Sequence, residues 1–354
     1  MAISAKLVKE LRERTGVGMM ECKKALTETD GDLDAAVEVL KKAGAVKAEK
    51  KASRIAAEGI TRIAKSGNTE VVVEVNSETD FVAMNASFQE FVQSVADKAL
   101  TVDVEKAGDG EDVVNILGMK DELDGKILTI GEKLSIRRFE KVTGDCVSSY
   151  IHGGGKIGVL VAGKGASDAE EALKNVALQV ASMNPQYISR NDIDPAEIAK
   201  MKEITVDAAL NDPFSLPKPI LNGLLAKAVD GVWSASEVAI YEEHKKNMNY
   251  LPNFLSDESK AQLAALAMAD KAAISGNKIF AGLVEGRVSK QLKEICLLDQ
   301  TYVKAEDGKQ TVAAYLKSVN PALSVSKFVR FEVGEGMQKK TEDFAAEVAA
   351  QMNM

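Results

Sequence analysis

The side chains that could do chemistry are few and far apart. Three cysteines, Cys22, Cys146 and Cys296, form no CxxC pair. Their odd number and wide spacing fit neither a disulfide framework nor a zinc site. Two histidines, His152 and His244, are too few for a His-based metal centre. No GxSxG elbow is present, and no cysteine has a histidine in an informative context. Carboxylates are abundant but spread along helical stretches, where charge marks a solvated face. The run His152-Gly153-Gly154-Gly155-Lys156 has the composition of a phosphate-holding loop. Such a loop must feed a helix N-terminus, whose amides hold the anion. Here the glycines lead into Ile157-Gly158-Val159-Leu160-Val161, which reads as a strand, so the run is expected to be a hairpin turn. The expectation is therefore no catalytic residue, no cofactor and no metal, and a protein that acts by gripping another protein.

Two segments suit that role. Thr79-Asp80-Phe81-Val82 follows a strongly apolar strand and precedes a helix whose apolar face begins only at Phe88. A large aromatic beside an acid on an exposed loop is a typical interface anchor. Spacing alone leaves Phe81 equally able to fold back into the core. In Gly16-Val17-Gly18-Met19-Met20, two methionines beside glycines offer an adaptable apolar surface. Burial of both in a helical bundle is the competing reading.

The elements that must carry these segments follow from periodicity. Residues 1–44 read as three short helices, with Ser4 as a cap, stripes at Leu7, Val8, Leu11 and at Leu33, Ala36, Val37, Leu40, and Gly44 as the closing C-cap. Residues 47–54 (KAEKKASR) read as a basic linker. Ile60–Ala64 and Val71–Asn76 are expected strands about the turn Ser66-Gly67-Asn68. They are followed by a helix carrying Phe88, Phe91, Val92 and Val95, with Ser87 and Glu90 as a capping box. The pattern recurs at Val147–Ile151, Ile157–Ala162 and a helix with Leu173, Val176 and Val180, boxed by Ser167 and Glu170. A third strand recurs as Ile136–Glu140 and Val329–Glu332. The fold class is thus α+β, with two related units on antiparallel sheets. Residues 191–280 lack strand signals and hold Pro195, Pro213, Pro217, Pro219 and Pro252, which points to an inserted helical, coiled-coil-like arm. Thr341–Met352 reads as a C-terminal amphipathic helix. The expected domains are 1–52, a helical module with its linker; 53–142, the core N-subdomain; 143–190 with 281–335, the core C-subdomain; 191–280, the arm; and 336–354, a C-terminal helical module.

Composition agrees with a globular chain, at 45% apolar and 28% charged residues. The net charge of −8 gives no overall basic footprint for direct contact with nucleic acid. The N-terminus has no apolar signal segment, and no window is long and apolar enough to span a bilayer, so no membrane contact and a cytoplasmic location are expected.

Several of these motifs, in order along the chain, closely resemble the bacterial elongation factor Ts family, guanine nucleotide exchange factors for elongation factor Tu. They are Leu7–Leu26 with its core Arg14-Thr15-Gly16-Val17-Gly18-Met19-Met20, Glu78-Thr79-Asp80-Phe81-Val82, Ile130-Gly131-Glu132 before Arg137-Arg138, Tyr150-Ile151-His152, and Phe328–Gly336. The resemblance spans 1–190 and roughly 279–354; the family's arm is commonly a shorter coiled-coil hairpin. It implies that the first residues form a module like the ubiquitin-associated domain. It also implies that the loop at Thr79, Asp80, Phe81 and Val82 enters the nucleotide-binding domain of elongation factor Tu and disturbs its magnesium and phosphate site. Arg12, Met19, Met20 and Lys23 would hold the same domain, with Ile130, Gly131 and His152 at the interface. A homodimer or a 2:2 complex with the partner stays open. The alternative is an adaptor built on the ubiquitin-associated-like module, without exchange activity.

Overall fold

The computed structural model describes residues 3–108 and 111–338. Two compact units result. One takes in the chain up to Asn184 together with the stretch from Tyr302 onward, and the other is Pro185–Thr301.

The first unit opens with α1 (Ala5–Thr15), α2 (Met19–Glu28) and α3 (Leu33–Lys51). Ser4 caps α1 through the Leu7 amide, and Gly16 closes it at φ 68°. Leu11, Leu26 and Leu40 meet in the bundle core, joined by Leu128 from outside the bundle. Gly44 does not end α3, which runs on through the supposed basic linker to Lys51. A Cβ at Gly44 would lie 2.8 Å from the Asp124 carbonyl oxygen, so this glycine serves helix contact rather than termination.

A four-stranded antiparallel sheet follows, in the order β1 (Glu58–Ser66), β2 (Thr69–Ser77), β4 (Leu134–Thr143), β3 (Lys106–Ala107). Between β2 and β4 come α4 (Asp80–Ala83), α5 (Ala86–Thr101), α6 (Val113–Leu117) and α7 (Lys120–Ile130). The two-residue β3 had no signal in the sequence. Phe88, Phe91, Val92 and Val95 of α5 join Val71, Val73 and Val75 of β2 in one core. The cap of α5 is Asn85, which accepts from the Phe88 amide, and not Ser87 with Glu90.

A second antiparallel sheet has the order β5 (Cys146–His152), β6 (Ile157–Lys164), β7 (Ser324–Glu332). It carries α8 (Glu170–Met183). Ala169 stands at the N-cap of α8 with no side-chain bond, so the expected Ser167 box is absent. Gly153, Gly154 and Gly155 all have positive φ and close the β5–β6 hairpin; they lead into the strand β6 and not into a helix N-terminus.

The two sheets pack on each other through Val72, Val142, Val147, Leu160, Val329 and Phe331. That explains why β2 is buried on both faces. At the centre lies Glu74, wholly buried. Its carboxylate accepts from Arg137 Nη1 (3.1 Å), Arg138 Nε (2.6 Å), Asn76 Nδ2 (3.0 Å) and the Gly334 amide (2.9 Å). The Arg138 guanidinium also stands 4.2 Å from the centre of the Phe331 ring. A buried charge with this many donors is satisfied, and Arg137 and Arg138 also reach Glu335, through its carbonyl and its carboxylate respectively.

The second unit is helical: α9 (Pro195–Asn211), α10 (Lys218–Gly231), α11 (Ala235–His244), α12 (Asp257–Ala269), α13 (Lys271–Ser275) and α14 (Lys278–Ile295). Pro195 occupies the first turn of α9 and Pro219 that of α10, where a missing N–H costs nothing. Leu210, Leu225, Trp233, Leu251, Leu263 and Phe280 form its own core, and Trp233 Nε1 donates to the Ser259 carbonyl at 3.1 Å. The insertion is therefore a packed helical body rather than a bare coiled-coil hairpin, and it includes α14. The prolines cut it into pieces short enough to fold around one another. After it come α15 (Val312–Val319) and β7. The C-terminal helix expected over Thr341–Met352 lies outside the described residues.

Candidate partner-binding site

Residue Ser77 ends β2, and the chain turns at once into the single turn α4. Val82 and Ala83 point into the core at 8% and 6% exposure, and this fixes the opposite side of the turn outward. Phe81 is 79% exposed and Met84 is 69% exposed. Of the two positions open to Phe81 from its spacing, the structure has the exposed one. Asp80 is exposed beside it. Phe81 and Met84 thus present two large apolar side chains to solvent from one turn.

A turn this short holds its shape only through its anchors. The Thr79 amide donates to Glu132 Oε2 at 3.0 Å, and its hydroxyl donates to Glu132 Oε1 at 2.7 Å. Committed to Glu132, the Thr79 hydroxyl makes no cap bond to α4. In the reverse direction, Glu78 Oε1 accepts from the Lys133 amide at 2.5 Å, and both Glu78 oxygens accept from Arg54 Nη1 at 3.2 Å. Lys133 Nζ in turn donates to the Ala52 and Arg54 carbonyls, each at 2.7 Å. Ser77 Oγ adds a bond to the Thr79 carbonyl at 2.9 Å. The Thr79–Val82 turn is thus clasped to the segment that joins α7 to β4, which begins at Gly131, directly after Ile130 at the end of α7. Gly131 closes α7 with φ 86°, a left-handed conformation that favours glycine, and Ile130 is half-buried against the β1–β2 core. Close by, burial holds the Lys126 ammonium below its ordinary pKa, while it donates to the Ser87 carbonyl at 3.0 Å and hydroxyl at 2.6 Å.

The N-terminal candidates lie on two consecutive helices, Arg12 on α1 and Met19, Met20 and Lys23 on α2. Met19 is 47% and Met20 80% exposed, so both are surface rather than bundle core. Arg12 and Lys23 are exposed as well. His152 is exposed at the end of β5, with Nδ1 3.2 Å from the Tyr150 hydroxyl. The turn after it touches the start of β1, where Lys156 pairs with Glu58 and Thr61 Oγ1 donates to the Gly155 carbonyl at 2.9 Å. Since Glu58 faces Ser77 across the β1–β2 ladder, His152 belongs to the same end of the sheet from which the Thr79 turn leaves.

Sequence reasoning missed Met84, which doubles the apolar tip, and the roles of Glu78 and Glu132. Both glutamates lie inside the motifs, yet the bonds that join Glu132 to Thr79 and Glu78 to Lys133 each span more than fifty residues, and no local pattern reveals such pairs. Among the described residues, no group of three or more His, Cys, Asp or Glu side chains could hold a metal ion. No helix among them is long and apolar enough to cross a membrane. Compared with known protein families, the chain matches the family model described as elongation factor TS over residues 78–253 and 250–335.

Proposed function

We propose, since this chain belongs to the elongation factor Ts family, that it binds elongation factor Tu and promotes release of GDP through the Asp80-Phe81 turn, so that GTP can bind. The observation that carries the reading is Phe81, 79% exposed on a turn anchored from both sides. Phe81 acts as a wedge in the nucleotide-binding domain of the partner, and Asp80 orients it or meets a polar group there. The wedge disturbs the magnesium and phosphate site. Arg12, Met19, Met20 and Lys23 grip the same domain, with Ile130, Gly131 and His152 at the margin.

An exchange factor need not touch the nucleotide. It must bind the empty partner more tightly than the loaded one, and by linkage nucleotide affinity then falls by the same factor. Each tenfold loss requires about 1.4 kcal/mol of coupling. One buried phenylalanine supplies roughly 1.5–3 kcal/mol, so the wedge accounts for one or two decades and the spread contacts for the rest.

The direct test is co-purification of the chain with elongation factor Tu, with and without GDP. A complex that GDP dissociates is the expected result. Recovery of another protein in place of elongation factor Tu would favour the adaptor reading, for which the exposed Met19 and Met20 are the only support.

A further inference from the structure

The wedge can act only if it is presented in one conformation. A four-residue helical turn has too few internal hydrogen bonds to hold itself in water. In this chain the fixing comes from outside the turn. Glu132 spends both carboxylate oxygens on Thr79, the residue that immediately precedes Asp80 and Phe81. A charged acceptor bonded to an N–H and an O–H of one residue sets both its position and its rotation. The reciprocal bond from the Lys133 amide to Glu78 closes a ring between the two segments. Lys133 then carries the ring on to Ala52 and Arg54, the exit of α3.

The geometry points to Glu132 as a positioning residue for nucleotide exchange, one that holds the Thr79 turn so that Phe81 is presented preorganised to elongation factor Tu. Glu78 and Lys133 are the other half of the clasp. This rests on the reading of Phe81 as the wedge. Glu132 itself need not touch the partner. Its removal leaves Phe81 in place but lets the turn sample conformations that cannot insert, and the ordering is then lost from the insertion step.

The test is a double-substitution cycle on the full chain, read by stopped-flow release of fluorescent GDP from elongation factor Tu. The maximal rate at saturating factor is measured separately from the half-saturating concentration. Glu132→Ala is expected to lower the maximal rate about 10- to 100-fold, which is what one lost hydrogen bond to a charged group produces. Half-saturation, governed by the N-terminal grip, should change less than the rate. Glu132→Gln keeps an acceptor for the Thr79 amide and should recover part of the loss. In a Phe81→Ala background, Glu132→Ala should slow exchange no further, because the residue works through Phe81. Equal slowing by Glu132→Ala in both backgrounds would overturn the inference, as would a Glu132→Ala protein with an unchanged maximal rate. If Phe81→Ala alone exchanges at the unmodified rate, it is the wedge reading that fails, and the two failures are told apart. Should Glu132→Ala not fold, Thr79→Val, which keeps the amide bond and loses only the hydroxyl, carries the same cycle.

Discussion

Replacing Phe81 by alanine separates function from stability. The side chain is 79% exposed in the free protein, so its removal opens no cavity there. The free protein should keep its thermal midpoint to within the ±0.5 kcal/mol or so typical of surface changes. In the complex the same side chain would go from exposed to buried. Full burial is worth roughly 1.5–3 kcal/mol, and four fifths of that is about 1.2–2.4 kcal/mol. At about 1.4 kcal/mol per decade, GDP release from elongation factor Tu should slow about 7- to 50-fold. Stopped-flow release of fluorescent GDP at saturating factor measures this directly, and Phe81→Leu should fall between the two. Unchanged release by Phe81→Ala would refute the wedge. A large fall in the thermal midpoint would refute the exposed placement instead, since it would mean that the ring is part of the core.

Other substitutions test the frame that presents the turn. Glu74→Ala removes the buried carboxylate that Arg137 and Arg138 share, while Arg138 keeps its ion pair with Glu335 and Arg137 its bond to the Glu335 carbonyl, and should cost about 1–3 kcal/mol in urea unfolding. Gly44→Ala places a methyl 2.8 Å from the Asp124 carbonyl, so α3 must move off α7, and a loss of about 1–3 kcal/mol is expected by thermal melting. Replacing Met19 and Met20 together by serine should leave the melting temperature unchanged, because both are exposed, and should raise the factor concentration needed for half-maximal exchange. If affinity for elongation factor Tu is unaffected, the proposed N-terminal grip is wrong.

Much of this was legible in the sequence, because local periodicity reports local burial. The paired hairpins, the helix carrying Phe88 to Val95 and the turn at Gly153–Gly155 all read correctly from spacing. The insertion read as helical because residues 191–280 carry no strand signal, and its prolines divide it into short helices. What failed was whatever depended on a distant neighbour. Gly44 looked like a terminator, since a glycine at a helix end usually is one, but its lack of a side chain is needed 80 residues away at Asp124. The basic run after it looked like a linker because charge hides helical character. For Phe81, spacing alone could not choose between core and surface; Val82 and Ala83 decide it by taking the inward positions. The clasp at Glu132 was invisible, because carboxylates on loops look alike until their partners are known. Glu74 is the same case in a strand, where an acid amid valines gives no hint of the two arginines that surround it.

The Glu74 site also has a history in time. Its last donor, the Gly334 amide, follows β7, and β7 is separated from its sheet neighbour β6 by residues 165–323, helical insertion included. On a translating ribosome moving at about 5–20 residues per second, β6 therefore waits about 8–30 s with one edge unpaired. During that interval Phe331 has not yet arrived to cover Arg138, and the sandwich lacks its closing strand. Early synthesis thus completes the sheet that carries the Phe81 turn, whereas the lock between the sheets closes only when β7 and Gly334 have emerged. A truncated product lacking β7 would leave the edge of β6 and the inter-sheet core half-built and exposed.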